Sequence, residues 1–221
     1  MMRSFGARAD CAVSDEPFYG AYLKATGDDH PMADEVIAAM DCDWQGVLAS
    51  LSGPCARPVW YQKHMVHHMV GPVGLAEMPG FAHAFLIRAP ERVINSYAQK
   101  RETVTAEGLG FARQHQWFLA EADRLGRAPP VIDSADVLAD PAGTLARLCA
   151  ALGLGWDAGM LRWPAGPRDT DGVWAPHWYG RVLATTGFEG QEGPLPELAG
   201  DAARVRDACR PHYEAMARWR L

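Results

Sequence analysis

Residues 83–97 read HAFLIRAPERVINSY, an apolar run that ends in an arginine and continues past a proline into a helical pattern. A strand is predicted at His83–Arg88, and its apolar run 84–87 is typical of a parallel strand covered on both faces. Pro90 suits the first turn of a helix, and Ile94 and Tyr97 then lie on one side of that helix. The stretch therefore predicts a strand, a turn and a helix, the repeating unit of α/β proteins.

Three more short runs are rich in β-branched or aromatic residues and are bounded by turn residues. They are predicted as strands at Cys11–Val13, Pro58–Lys63 and Val131–Asp133. Because longer stretches with helical spacing separate them, the pattern favours an α/β fold over an all-β fold.

Helix boundaries are also marked in the sequence. Asp140 followed by Pro141 supplies an N-cap and a proline at the first helical position. Another helix is predicted over Phe111–Leu125, ending at Gly126. A last helix covers the C-terminus, and Pro211 is expected to interrupt or restart it.

Length and composition fit one compact domain, since the chain has 221 residues, of which 48% are hydrophobic and 22% charged. Within a domain 1–221 we expect the sheet and its helices at 1–152, a loop-rich aromatic cover at 153–200 and a C-terminal helix at 201–221. The middle segment is rich in Gly, Pro and Trp, which favours a lid over a disordered linker.

Charge and apolar runs exclude several classes. Lys plus Arg number 21 against 27 Asp plus Glu, so the net charge of -6 argues against a nucleic-acid-coating protein. No apolar run approaches the roughly 20 residues that cross a bilayer, and no signal peptide is visible, so we expect a cytoplasmic protein without a membrane partner. Five scattered cysteines suggest neither a disulfide framework nor a cysteine zinc site.

Arg88 is placed where ligands bind in open parallel sheets, at the carboxyl end of a strand. Its guanidinium can hold a phosphate with two hydrogen bonds, and Ser96 offers a hydroxyl from the following helix. The alternative from the residues alone is that Arg88 pairs with a carboxylate and Ser96 is a surface residue of the helix.

The same residues resemble a known motif. Arg88, with Pro90 two residues on and Ser96 eight residues on, resembles the 3'-phosphate-binding motif of sulfotransferases that use 3'-phosphoadenosine-5'-phosphosulfate. Further segments are similar to the bacterial branch of that superfamily, and they span nearly the whole chain: Met2–Phe5, Asp15–Tyr19, Tyr61–His68 and Trp163–Phe188.

The resemblance implies a P-loop NTPase-like parallel sheet flanked by helices. It also implies transfer of a sulfuryl group from 3'-phosphoadenosine-5'-phosphosulfate, as co-substrate and without a metal, to a hydroxyl or amine of a small-molecule or carbohydrate acceptor. The family's first strand and phosphate-binding loop have no counterpart here, so we expect either a start upstream of Met1 or a degenerate member of the family. The alternatives are a non-catalytic nucleotide- or partner-binding module and a P-loop phosphotransferase.

Four residues become candidates for catalysis through the resemblance. Glu16 would be a general base, and Lys63 would neutralise charge on the leaving oxygen. His64 or His67 could be the base instead. The alternative for Glu16 is a cap or ion pair at a strand end. The alternative for His64, His67 and His68 is metal binding, since His64 and His68 would share a helix face, although no carboxylate or cysteine completes a recognised pattern.

Arg168 and Gly172 resemble the basic, glycine-containing segment that folds over the 3'-phosphate in this family. Arg168 would clamp the phosphate and Gly172 would let the backbone approach it. Nearby Trp174 and Trp178, with the aromatics at 18–19, suit an apolar or sugar-like acceptor, but they are equally consistent with core packing.

Overall fold

The computed structural model describes residues 1–99 and 103–221. Its helices and strands, in chain order, are α1 (Met2–Phe5), β1 (Cys11–Asp15), α2 (Tyr19–Thr26), α3 (Ala33–Ala39), α4 (Trp44–Leu51), β2 (Val59–Lys63), β3 (Phe85–Ile87), α5 (Pro90–Ala98), α6 (Ala106–Leu109), α7 (Phe111–Leu125), β4 (Val131–Asp133), α8 (Ser134–Ala139), α9 (Pro141–Ala151), α10 (Ala175–Trp178), α11 (Gly180–Ala184) and α12 (Gly200–Ala217). Short 3-10 helices cover Val66–His68, Leu75–Glu77 and Ala158–Leu161. Over the described ranges, none of the helices is both long and apolar enough to cross a membrane.

The strands form two parallel pairs. β1 pairs with β2 in a register that sets Cys11 opposite Val59, and β3 pairs with β4 in a register that sets Phe85 opposite Val131. Since helices occupy the connections, as parallel pairing requires, the predicted α/β class with parallel strands is confirmed.

The chain divides into two compact units, each built from two segments. The first comprises Met1–Gly80 and Asp157–Glu189, and the second comprises Phe81–Trp156 and Gly190–Leu221. A buried cluster in the first unit contains Tyr19, Tyr22, Leu23, Val36 and Trp174. A buried cluster in the second contains Phe85, Ile87, Phe118, Val131 and Met216.

Strand β3 is covered on one face only. Phe85 and Ile87 are buried, whereas the intervening Leu86 is 45% exposed. Successive side chains of a strand point to opposite faces, and the core against α7 and α12 takes only the first set. In the described part of this unit the strand is thus covered on one face, and the prediction that residues 84–87 are covered on both faces is wrong.

The predicted helix ends are confirmed at two helices. Helix α7 stops at Gly126, which adopts the left-handed conformation with φ of 65°. At α9, the Asp140 side chain accepts a hydrogen bond from the Gly143 N–H at 2.9 Å.

The predicted break at Pro211 is wrong, because α12 runs through it without interruption. A proline inside a helix removes one backbone hydrogen bond and crowds the preceding turn. Cys209 and Met216 lie on either side of Pro211, and each is 1% exposed. Burial of this face holds the helix together across the proline.

Asp133 fastens α12 to the end of β4. This carboxylate is 1% exposed, and one oxygen accepts the Ala135 N–H at 2.9 Å. The other oxygen accepts the Tyr213 hydroxyl at 2.6 Å. A buried carboxylate needs such donors, since without them it would be desolvated and unpaired.

Replacing Tyr213 with phenylalanine is expected to lower the free energy of unfolding by about 2 kcal/mol, because it removes a hydrogen bond to a buried charged group. Urea unfolding followed by circular dichroism measures this. Glu214→Gln, at an exposed position of the same helix, serves as control and should stay within about 0.5 kcal/mol of the native protein. Equal stabilities of the Tyr213→Phe and native proteins would mean that water replaces the hydroxyl.

Candidate active site

The carboxyl ends of β1 and β2 bring three charged side chains together in the first unit. Asp15 lies opposite Lys63 in the register of the two strands. Glu16 follows directly, and its backbone N–H donates to the Lys63 carbonyl at 2.9 Å. Because the strands are parallel, both chains leave the sheet at the same edge, so residues distant in sequence become neighbours.

The Lys63 ammonium donates to three acceptors. These are Asp15 Oδ1 at 3.1 Å, the Tyr179 hydroxyl at 2.9 Å and Glu16 Oε1. The Tyr179 hydroxyl in turn donates to Asp15 Oδ2 at 2.5 Å. Since an ammonium has three N–H groups, all of them are engaged and the position of Nζ is fixed.

The pKa values of this cluster follow from burial and mutual charge. Burial alone would lower the pKa of Lys63, but Glu16, Tyr179 and Asp15 outweigh it and raise that pKa above its usual value. Burial raises the pKa of Glu16, and Lys63 opposes the rise only in part. The site therefore holds a permanently positive ammonium beside a carboxylate that is more basic than one in water.

Glu16 also carries backbone strain. Its φ is 45°, in the left-handed region that few residues other than glycine adopt. The next residue is Pro17, and a residue before proline ordinarily prefers an extended backbone. Such strain persists where the surrounding structure imposes it, often at functional sites. Here the strained residue is the one whose side chain contacts Lys63.

The histidines after β2 differ in their surroundings. His64 Nε2 lies 3.3 Å from Gln62 Oε1, and His67 packs edge-on against His68 with ring centroids 4.3 Å apart. His68 is 3% exposed, and its Nδ1 lies 3.5 Å from Glu16 Oε2. Of the residues predicted for catalysis, Glu16 and Lys63 contact each other. His68, which was not among those four, lies next to Glu16.

A shared helix face for His64 and His68 does not exist, because the 3-10 helix at this point covers only Val66–His68. Metal binding by His64 and His68 from one helix face therefore has no geometric basis. Over residues 1–99 and 103–221 no group of three or more His, Cys, Asp or Glu side chains is placed to hold a metal ion.

A second charged cluster in the first unit contains Arg168. Arg3 Nη2 donates to Asp171 Oδ2 at 2.8 Å, and the same oxygen accepts the Arg168 backbone N–H at 2.9 Å. Arg168 Nη2 is buried and has no hydrogen-bond partner among the described residues. Burial and then Arg3 lower the pKa of Arg168, and Asp171 opposes them. Arg3, Arg168 and Asp171 together carry a net charge of one positive unit. This excess charge suits an anionic ligand.

Gly172 and the nearby aromatics contribute to packing. A Cβ at Gly172 would overlap the Trp174 ring, so this glycine lets the indole lie against the backbone. Phe18, Tyr19 and Trp174 are each no more than 3% exposed, and Tyr19 and Trp174 pack edge to face with centroids 5.2 Å apart. These three rings are core residues, so the expectation that they stack on an acceptor is not supported, and only Trp178 of that group is half-exposed.

Arg88 and Ser96 lie in the second unit. Arg88 follows β3, and its guanidinium forms an ion pair with Glu192, which also contacts Arg92 Nε at 3.0 Å. Ser96 is exposed on α5. Arg88 therefore pairs with a carboxylate, as the second interpretation of the sequence expected. An anion binding to its guanidinium would have to compete with Glu192.

Sequence reasoning missed several members of these clusters. Asp15 could have been found, because the pairing of the first two strands sets it opposite Lys63. Tyr179 and Asp171 are 164 and 168 residues from their partners Asp15 and Arg3, and no local pattern indicates such contacts.

The family model described as "Sulfotransferase domain" matches residues 1–219. Two curated proteins of Arabidopsis thaliana are similar in sequence. Branched-chain-amino-acid aminotransferase-like protein 1 is 36% identical over 190 residues, which is 85% of this chain and 34% of that protein. Branched-chain-amino-acid aminotransferase-like protein 2 is 34% identical over 220 residues, which is 98% of this chain and 38% of that protein. The chain thus spans little more than a third of the length of these relatives.

A solved structure, the sulfotransferase domain from the curacin biosynthetic pathway, matches with a TM-score of 0.44 and 15% identity, covering 87% of this chain and 78% of that one.

Proposed function

The chain belongs to the sulfotransferase domain family, whose model covers residues 1–219, and we propose that it transfers a sulfuryl group from 3'-phosphoadenosine-5'-phosphosulfate to a hydroxyl or amine of a small-molecule or carbohydrate acceptor. The observation that carries the proposal is the contact between Lys63 Nζ and Glu16 Oε1 at the carboxyl ends of β1 and β2. A fixed cation and a basic carboxylate at one point are the two groups that such a transfer needs.

Glu16 acts as the general base in this scheme. It removes the proton from the acceptor hydroxyl or amine while the acceptor atom attacks sulfur and the bond from sulfur to the bridging phosphate oxygen breaks. A carboxylate whose pKa is raised by burial is better matched to this task than one in water. The proton ends on Glu16 and later leaves to solvent.

Lys63 stabilises the negative charge that develops on the departing phosphate oxygen. Its three N–H groups are held by Asp15, Glu16 and Tyr179, so the ammonium is positioned before the reaction begins. When an N–H turns to the leaving oxygen, Tyr179 keeps Asp15 as its acceptor. Lys63 can therefore exchange one contact without leaving Asp15 unpaired.

Phosphate recognition is assigned to arginines in each unit. In the first unit two features support binding of a phosphate group: Arg168 Nη2 has no hydrogen-bond partner in the described part of the chain, and Arg3 with Arg168 carries more positive charge than Asp171 neutralises. In the second unit Arg88, with the Ser96 hydroxyl, is proposed for the 3'-phosphate. Gly172 is proposed to assist Arg168 indirectly, by letting Trp174 lie against this loop.

Binding of the donor product tests the proposal. We expect 3'-phosphoadenosine-5'-phosphate to raise the melting temperature of the native protein, and adenosine 5'-monophosphate, which lacks the 3'-phosphate, to raise it less. A ligand at about 100 times its dissociation constant stabilises the native state by roughly 2.7 kcal/mol. Differential scanning fluorimetry and isothermal titration calorimetry measure both.

Two variants at one ion pair should have opposite effects. Arg88→Ala should weaken 3'-phosphoadenosine-5'-phosphate at least tenfold and leave adenosine 5'-monophosphate unchanged. Glu192→Gln should tighten the first nucleotide several-fold, because it removes the carboxylate that competes for Arg88. Equal losses for both nucleotides in Arg88→Ala would contradict the 3'-phosphate assignment. Binding without any transfer to hydroxyl or amine acceptors would favour the non-catalytic binding module.

A further inference from the structure

His68 is a buried imidazole that the transfer scheme does not use. Its ring lies between Tyr19 and Tyr22, with centroids 4.4 Å and 4.6 Å away and the Tyr19 ring parallel to within 1°. Both tyrosines are themselves anchored. The Tyr19 hydroxyl is 2.6 Å from His30 Nδ1, and the Tyr22 hydroxyl donates to Asp28 at 2.6 Å. The two stacks therefore fix the plane of the His68 ring.

One edge of this ring faces the proposed base. His68 Nδ1 lies 3.5 Å from Glu16 Oε2, whereas the other oxygen, Oε1, accepts from Lys63. Neither ring nitrogen of His68 has a hydrogen-bond partner within the described ranges of the chain. A polar side chain this deeply buried ordinarily has one, so the unpaired nitrogens need an explanation.

The protonation of His68 follows from its surroundings. Burial, then His67, His30 and Lys63, hold its pKa well below the usual value, so the ring is neutral and carries one proton. A bare lone pair on Nδ1 would repel the Glu16 carboxylate. We therefore assign the proton to Nδ1, the ring nitrogen that lies 3.5 Å from Glu16 Oε2.

We propose that His68 is a positioning residue for Glu16, donating from Nδ1 to Oε2 and fixing the plane of the carboxylate. This inference rests on the proposed role of Glu16 as base. The 3.5 Å separation is longer than an ordinary N–H···O hydrogen bond, and hydrogen bonds of catalytic groups often tighten only in the complex with substrate. A carboxylate oxygen has two lone pairs, so Oε2 can accept from His68 and still take the proton of the acceptor.

The geometry provides a matched pair of variants. Asparagine at position 68 places an amide N–H near the position of Nδ1, whereas glutamine places it near the position of Nε2. Both are polar and smaller than the imidazole, so both disturb the stack on Tyr19 and Tyr22 to a similar extent. His68→Phe keeps the stacked ring and removes every donor.

The readout is the titration of Glu16 itself, followed by NMR of the protein labelled with 13C in the glutamate carboxyl group. The Glu16 resonance is identified by its loss in Glu16→Gln. We expect His68→Gln and His68→Phe to shift the titration midpoint of Glu16 upward by about one pH unit, because the ionised form loses a donor. His68→Asn should stay within a few tenths of the native midpoint. Lys63, Asp15 and Tyr179, the other titratable groups facing Glu16, are the same in all three variants.

Equal midpoints in the asparagine and glutamine variants would overturn the proposal. The measurement needs no nucleotide, so it is independent of the proposed function. If the Glu16 midpoint shifts as expected but the native protein has no transfer activity, the contact between His68 and Glu16 stands. The role of Glu16 as base, and with it the positioning role of His68, is then rejected. In an active protein, His68→Asn should retain most of the turnover that His68→Gln loses.

Discussion

Replacing Lys63 with methionine is expected to lower the rate of sulfuryl transfer by about 100- to 1000-fold, the effect of removing one preorganised donor from a developing negative charge. The ammonium is the cation that the structure places among Asp15, Glu16 and Tyr179. Binding of 3'-phosphoadenosine-5'-phosphate should change less than tenfold, because the charge that Lys63 stabilises is largest in the transition state. Release of this nucleotide from the donor, with a panel of small hydroxyl and amine acceptors, measures the rate.

Stability must be separated from catalysis in this experiment. Methionine leaves two buried carboxylates without their cation, and breaking a buried pair in this way costs about 3–5 kcal/mol. Lys63→Arg keeps the positive charge and therefore the fold, but the planar guanidinium cannot reproduce the position of an ammonium, so transfer should still fall at least about tenfold. Lys24→Met, at an exposed position of α2, should leave both properties unchanged. A folded Lys63→Met protein with transfer within a few-fold of the native rate would remove Lys63 from the mechanism.

Glu16→Gln is expected to lower turnover by about 100- to 10,000-fold, the usual contribution of a general base. Glutamine has nearly the same shape and still accepts a hydrogen bond from Lys63, so nucleotide affinity should be unchanged. In the native protein kcat/KM should rise with pH through the pKa of Glu16, with a midpoint above the value of about 4.3 for a free glutamate. The variant should lack this rise. Glu35→Gln, at an exposed position of α3, is the control.

The same raised pKa makes a linked prediction about stability. A group whose pKa is higher in the folded than in the unfolded state contributes fully at low pH, and that contribution is lost as the pH rises through the folded pKa. Because glutamine does not ionise, Glu16→Gln removes this loss of stability with rising pH. The stability of the variant relative to the native protein should therefore increase from about pH 4 towards neutrality. A stability difference between variant and native protein that stays constant with pH would mean that Lys63 cancels the effect of burial on the pKa of Glu16. In the kinetic experiment, turnover retained by Glu16→Gln would transfer the role of base to His64 or His67.

The elements of the fold were largely predictable because their signals are local. The four strands of the described residues lie where short β-branched and aromatic runs predict them. Helix α7 ends at Gly126 and helix α9 begins after Asp140, and both residues have clear capping roles. Pro211 misled the prediction, since intrinsic helix preference is overridden where a face of the helix is buried.

The candidate site was only partly predictable, for a physical reason. Glu16 and Lys63 each follow a recognisable strand, and parallel pairing brings such strand ends together. Tyr179 reaches them from the junction of the short helices α10 and α11. The plane of the His68 ring depends on two tyrosines far from it in sequence. Contacts of this kind depend on tertiary packing, which leaves no periodic signal in the chain.

The division of each unit into two chain segments has a consequence for biosynthesis. Residues 1–80 are translated before residues 157–189, which complete the same unit. Until Tyr179 emerges, Asp15 lacks the hydroxyl donor that it has in the native state. A nascent chain that has reached residue 156 therefore holds β1 and β2 without the segment that completes their charged cluster. Translation of roughly thirty further residues takes a few seconds, and during that interval the first unit lacks the segment that supplies Tyr179.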